Sequence, residues 1–206
     1  MAKKFYAVKN GRKTGIFLTW AECKAQIDGF SFAVYKSFLT REEAEKYLEA
    51  GSAVTAPPPP SNGEIPDSSE RAIAYVDGSY KKATKEFSCG AVLFWHGKAY
   101  KFSKKFNDES MADMRNVAGE IMGSVSVIDY CLKNNIPEIV IYHDYEGVAR
   151  WALGEWKANL DATKAYKEYC EDAMKRMKIS FVKVKGHSGD RFNDMADKLA
   201  KEALGI

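Results

Sequence analysis

Four carboxylates and one imidazole in the later part of the chain have the types and settings from which a metal centre can be built. Asp77 ends the apolar run AIAYVD, and Asp144 ends the run IVIYHD. If these runs are neighbouring parallel strands, their carboxylates emerge at one sheet edge, the edge at which α/β proteins bind ligands. Glu120 falls in the first turns of a helical stretch whose apolar positions Val117, Ile121, Val125 and Ile128 form one face, so its carboxylate stands at the boundary of that face and can look back toward the strand ends. In the last helical stretch Ala196, Leu199, Ala200 and Ala203 trace a buried stripe, with Asp194 and Asp197 three residues apart near its start. Oxygen ligands of this kind suit a hard divalent cation and need no His/Cys cage. Singly, each has an ordinary explanation, because strand-ending Asp residues serve turns and helical Glu residues face solvent. His187, in the glycine-flanked stretch KGHSGD, adds an imidazole able to relay a proton near neutral pH, whereas His96 and His143 lack such a setting.

The elements that must position these groups fall into two parts. The run GSAVTAPPPPSNGEIPDSSE, residues 51–70, contains four successive prolines and almost no large apolar side chain, the composition of a linker that is extended at its prolines and flexible at its flanks. Domains over 1–50 and 71–206 follow. In the first, FYAV (5–8) and GIFL (15–18) read as strands joined by a tight turn at Asn10-Gly11. Thr19 with Glu22, and Thr40 with Glu43, form capping-box patterns ahead of two helices, and FAVYKSF (32–38) alternates as a third strand. A three-stranded α+β unit results. In the second domain AIAYVDGSY, CGAVLFW and KAYKFSKKF make an antiparallel meander, the latter two joined through a tight His96-Gly97 turn. Helix VAGEIMGSVSVIDYCLKN, strand EIVIYHD, a helical region to about 175, strand ISFVKVKG and helix NDMADKLAKEAL then alternate, which requires crossovers and a partly parallel sheet.

Composition sets the bounds. With 206 residues and 46% hydrophobic content the chain can build a packed core, and no stretch approaches the ~20 apolar residues of a membrane span. The basic start MAKKFYAVKNGRK lacks the apolar run of a secretory signal, so a cytoplasmic address is expected. Cys23, Cys89, Cys131 and Cys170 are scattered without CxxC spacing, which predicts reduced, mostly buried thiols. A net charge of +3 is too small to identify a polyanionic partner by itself, although residues 1–50 hold nine Lys/Arg against six Asp/Glu.

The blocks VDGSY, RNVAGEIMGS, IYHDYEGV and KGHSGDRFNDMADKLA, in that order, resemble the D…E…D…H…D signature of type 1 ribonucleases H across nearly all of residues 71–206. The resemblance implies a ribonuclease-H-like α/β fold, a mixed five-stranded sheet with flanking helices. It also implies a metal-dependent endonuclease that hydrolyses the RNA strand of RNA/DNA hybrids. In-line cleavage of a phosphodiester needs an activated water and relief of charge on the leaving oxygen, which two divalent ions about 3.5 to 4 Å apart can supply. By resemblance the ions are Mg²⁺, with Mn²⁺ a substitute: Asp77 bridges both, Glu120 and Asp144 complete one each, and Asp197 supports the ion on the attacking-water side. The pattern N-x-x-A-D-x-L-A selects Asp197 over Asp194, and the KGHSGD block gives His187 an accessory catalytic role.

The same resemblance places RNA contacts at Asn116 and the Gly78 backbone, and a DNA phosphate contact at Arg115; Asn116 alternatively reads as a helix N-cap. The stretch 151–172 keeps tryptophans like those of the family but lacks the long Lys/Arg cluster that forms a basic protrusion in several members. Residues 4–48 are similar to the small hybrid-binding domain found at the N-terminus of eukaryotic and some bacterial members. That similarity implies sugar contacts by Tyr6, Trp20 and Tyr35 and a phosphate contact by Lys36, while Ser37 stands where relatives commonly have a second Lys. Hybrid binding by a monomer away from membranes is the expectation. The wider superfamily includes DNA-directed integrases and resolvases, a reading opposed by the paired small domain and the KGHSGD block.

Overall fold

The computed structural model describes residues 4–30, 33–49, 66, 68–186 and 190–206. Most of the proline-rich run, and His187, lie outside the described residues. The chain divides into two compact units between Thr55 and Ala56.

The smaller unit is a three-stranded antiparallel sheet in the order β2-β1-β3, with β1 over Phe5–Asn10, β2 over Gly15–Phe17 and β3 over Val34–Phe38. Adjacent residues Ala7 and Val8 of the central strand are both fully buried, so both sheet faces are covered. The covering helices are α1 (Trp20–Ile27) and α2 (Arg41–Glu49). Both start on the capping boxes expected from sequence: the Thr19 and Thr40 hydroxyls each accept from the N–H three residues on at 3.2 Å, and Glu22 and Glu43 reach back to the Thr amides. The tight turn expected at Asn10-Gly11 is not formed. Pairing of β1 with β2 closes only at Val8 and Gly15. The longer loop is drawn to the end of α1, where the Arg12 N–H donates to Gln26 O at 2.9 Å and its guanidinium donates to Ala25 O and Asp28 O at 3.1 and 2.6 Å. Helix-end carbonyls that need donors outweigh a local turn preference.

The larger unit is built on a five-stranded mixed sheet in the order β6-β5-β4-β7-β8: β4 Ala72–Lys81, β5 Glu86–Trp95, β6 Lys98–Phe106, β7 Glu138–His143 and β8 Lys178–Lys183. The meander β4-β5-β6 is antiparallel and β4, β7 and β8 are mutually parallel, as the alternation required. His96 and Gly97 both carry positive φ, 48° and 68°, which fits the two-residue turn between β5 and β6 to the twist of its strands. One face packs Ala72, Ala74, Val76, Leu93, Ile139 and Ile141 under α4 (Asn116–Lys133), α5 (Gly147–Ala152) and α6 (Asp161–Met174), the last two replacing the single helical region expected there. The other packs Ile73, Tyr75, Val92, Phe94 and Tyr142 under α7 (Arg191–Leu204), whose N-cap Asp190 accepts from Phe192 and Asn193 N–H. A short helix, α3, spans Glu109–Ala112. Among the described residues no helix is long and apolar enough to cross a membrane.

One boundary matters for the site. Asp77 does not close its strand: β4 continues to Lys81, held throughout by β5, whereas its pairing with β7 ends at Tyr75 and Tyr142. Beyond that pair β4 overhangs its parallel neighbour. Glycines then let helices press onto the overhang. A Cβ on Gly78 would overlap Asn116 O and stand 2.6 Å from Glu120 N, and one on Gly90 would overlap the α7 backbone at Ala196 and Ala200.

Candidate active site

Asp77 projects from the β4 face that carries Ile73 and Tyr75, the face under α7, because its register partner is Gly90. Asp144 follows the last residue of β7. Glu120 arrives from α4, seated low on the sheet by the contact of Gly78 with the helix backbone. Each of these three carboxylates offers an oxygen within 4.8 Å of the others. Glu120, expected at the boundary of the apolar face, is fully buried. Its Oε2 accepts from the Tyr145 N–H at 3.2 Å, just past the end of β7, and its Oε1 is buried with no hydrogen-bond partner. Asp77 Oδ1 accepts from the Gly78 N–H at 2.7 Å.

The electrostatics express a deficit of positive charge. Burial, then the Asp144 and Asp77 carboxylates, push the Glu120 carboxyl up to about 9. Burial and the Asp144 and Asp197 carboxylates push Asp77 up to about 7, against the Gly78 N–H and Lys201, which favour its ionised form. Three oxygen donors that repel one another and an orphaned buried oxygen fit a divalent cation, and a cluster that among the described residues consists of carboxylates favours a hard one. Asp197 stands outside the three-carboxylate group but within electrostatic reach of Asp77, and Lys201, one turn on, donates to its Oδ2 at 2.7 Å. Asp194 is the more exposed of the two α7 aspartates.

His143 packs beside Asp144 but is turned inward. It is almost fully buried, its Nδ1–H donates to Tyr145 O at 2.9 Å, and burial holds its pKa down to about 4, which makes it a neutral core group. His187 falls outside the described residues. Asn116 opens α4 as its first residue and is not the cap; Arg115 occupies the N-cap position without a side-chain capping bond. Arg115 takes φ 56° and ψ −129°, a backbone region rarely used by a side-chain-bearing residue, and both side chains are exposed. Strain at this helix entry, and the Tyr145 amide that holds Glu120, carry no sequence signal. Past Asp144, Tyr145, Trp151 and Trp156 form a cluster with ring centroids 5.9 to 6.4 Å apart, and Leu153 and Leu160 beside it are exposed.

In the smaller unit Tyr6, Trp20 and Tyr35 form a row, centroids 5.7 and 5.6 Å apart, with Trp20 46% and Tyr35 43% exposed and Tyr6 half-buried. Ser37 shares their side of β3, being paired with Tyr6. Lys36 lies on the opposite side, its ammonium 5.8 Å from the Phe38 ring and 5.9 Å from Tyr47, where Lys9 also sits at 4.0 Å. All four cysteines are buried and free.

A family model described as RNase H matches residues 69–205, and one described as the Ribonuclease H1 N-terminal domain matches residues 4–48. Ribonuclease H1 of Homo sapiens is 28% identical over 256 residues, spanning 96% of this chain and 88% of the human protein. Ribonuclease H of Francisella tularensis subsp. novicida is 32% identical over 153 residues, 68% of this chain and 95% of that protein. Ribonuclease H of Saccharomyces cerevisiae is 54% identical over 44 residues, 21% of this chain and 13% of the yeast protein. Among solved structures, an N-terminal RNase H domain from Mycobacterium tuberculosis superposes with a TM-score of 0.55 at 18% identity, over 65% of this chain and 98% of that one. RNase H1 from Halobacterium salinarum gives 0.54 at 18% identity, over 66% and 98%; at such identities the likeness is one of fold. One match runs the length of the five-stranded sheet and its helices and another spans the three-stranded unit, so this chain belongs to the ribonuclease H family and carries the N-terminal domain of ribonuclease H1.

Proposed function

We propose that the protein is an endonuclease that hydrolyses the RNA strand of RNA/DNA hybrids with two divalent ions, Mg²⁺ or Mn²⁺, acting as a cytoplasmic monomer. Residues 1–50 serve as a hybrid-binding domain, 51–70 as a tether and 71–206 as the catalytic domain. The observation that carries this reading is the meeting of Asp77, Glu120 and Asp144 within 4.8 Å around a buried, unpartnered Glu120 oxygen. When bound, the ions supply an activated water and neutralise charge on the leaving oxygen.

The chain's own residues hold and orient. Asp77 lies within electrostatic reach of both Asp144 and Asp197, which supports its reading as a shared ligand. Glu120, fixed by the Tyr145 amide, and Asp144 would complete one ion each with it, and Asp197 would support the ion on the attacking-water side, with Lys201 as its partner in the metal-free protein. His187 moves a proton at the cut phosphate. Gly78 and Asn116, in backbone contact beside the cluster, contact the RNA through the Gly78 backbone and the Asn116 carboxamide, and the exposed Arg115 meets a DNA phosphate. In the smaller unit the Tyr6, Trp20 and Tyr35 row packs against sugars of the DNA strand, and Lys36 reaches its phosphates around β3, an edge of the sheet.

Labelled RNA/DNA hybrid, double-stranded RNA and duplex DNA, each incubated with the protein and Mg²⁺, test the proposal. Only the hybrid is cut, in its RNA strand, and Asp77→Asn lowers the rate by more than about 1000-fold, the equivalent of several kcal/mol of lost charge stabilisation. Cleavage of duplex DNA instead, or an unimpaired Asp77→Asn, would refute it.

A further inference from the structure

Gly186 lies between β8 and α7, directly against Asp144. A Cβ built on it stands 2.5 Å from Asp144 Oδ2, 3.4 Å from its Cγ and 3.6 Å from its Cβ. Backbone conformation does not account for this glycine. Gly15, Gly29, Gly97, Gly154 and Gly205 carry the positive φ that favours glycine, and Gly186 does not. Close backbone packing does not account for it either. The nearest atoms to a Cβ at Gly78, Gly90 or Gly119 belong to other segments' backbone, whereas at Gly186 all three belong to one side chain, that of Asp144.

We infer that Gly186 is a positioning residue for Asp144: its bare Cα leaves the space in which the Asp144 carboxylate stays turned into the cluster with Asp77 and Glu120. The inference deepens the metal-site reading above and rests on it. A methyl group at 2.5 Å is closer than atoms pack, so something yields on substitution. The carboxylate is the far end of a side chain with two rotatable bonds, and it yields at little cost to the fold. Turning away takes its oxygen out of the 4.8 Å cluster. Gly186→Ala thus damages the ligand set and spares the scaffold, the reverse of what a Cβ at Gly78 does.

The test uses the full chain without substrate, titrating the metal-free protein with Mn²⁺ by calorimetry and recording thermal melting in a chelator. Parent, Gly186→Ala, Asp144→Asn and the double variant are compared. Gly186→Ala melts within about 2 °C of the parent without metal. Its Mn²⁺ affinity falls about 10- to 100-fold, the scale on which residues supporting a ligand act. The double variant binds no more weakly than Asp144→Asn alone, because Gly186 acts through that carboxylate. Parental Mn²⁺ affinity in Gly186→Ala beside a weakened Asp144→Asn overturns the role of Gly186, as do additive losses in the double variant or a large drop in metal-free melting. Parental affinity in Asp144→Asn overturns the metal-site reading itself, and the inference with it.

Discussion

Glu120 is the residue on which the site's energetics turn. Its burial and its two carboxylate neighbours raise its pKa to about 9, and Asp77 rises to about 7, each from an ordinary value near 4. Raised folded-state values mean that both groups favour folding while protonated. That contribution is complete below the ordinary carboxylate range and is lost as pH climbs through 7 and 9. The metal-free protein therefore loses stability across this window. Glu120→Gln, which keeps an acceptor for the Tyr145 N–H and discards the charge, raises metal-free melting at pH 8 by about 5 °C, from a gain of roughly 2 kcal/mol, and by much less at pH 5. Saturating Mg²⁺ reverses the order, because only the parent retains the ligand. A variant no more stable at pH 8 than at pH 5, relative to the parent, would show that Glu120 is not a buried cost. The residue types at this site were readable from sequence, since each carboxylate lies in or just after a recognisable strand or helix. The degree of burial was not: Glu120 sits beside an apolar helical face in sequence, and it is enclosed only because α4 lies directly on β4.

At the scale of elements, that descent of α4 depends on Gly78 and Gly119, and the seating of α7 on Gly90. In each case a Cβ meets backbone, which cannot rotate away. Gly78→Ala is expected to cost about 3 kcal/mol or more in urea unfolding, from overpacking between two rigid elements. Gly97→Ala, in open space at φ 68°, is expected to cost only about 1 kcal/mol, from its backbone conformation alone. Equal losses at the two positions would mean that the helix–sheet contact is more compliant than its geometry indicates. Element identity was strongly marked in sequence: the two capping boxes and the His96-Gly97 turn reappear in the fold. Element ends were less so. Asp-Gly reads as a turn, but Asp77 and Gly78 continue a strand because β5 pairs with them to Lys81 and Glu86, and Asn10-Gly11 yields to the carbonyls at the end of α1.

At the scale of the whole molecule, the proposed function assigns cutting and grip to different units. The larger unit carries the acidic cluster and, at Leu153, Trp156 and Leu160, exposed apolar side chains. The smaller unit carries the aromatic row, and its Ser37 sits on the same side of β3 as Tyr6. Trp20→Ala in the full chain is expected to weaken hybrid binding by about 1 to 3 kcal/mol while leaving the maximal cleavage rate intact. Ser37→Lys, which places an ammonium beside the row, is expected to tighten binding and to steepen its salt dependence by about 0.9 in the log–log slope, one phosphate's worth. An unchanged slope would place the strand of nucleic acid away from this face. Sequence by itself marked a proline-rich break and determined most of the strand and helix order, because hydrophobic period, capping residues and proline content are local properties written in consecutive residues, while the ordered blocks from VDGSY to KGHSGDRFNDMADKLA carried the resemblance to the family. Tertiary structure alone decided that Asp77 lies on an overhanging strand, that Glu120 is buried with one oxygen unpartnered, and that Gly186 leaves room for Asp144. Each of these is a distance between segments remote in the chain, fixed by packing that no local pattern records.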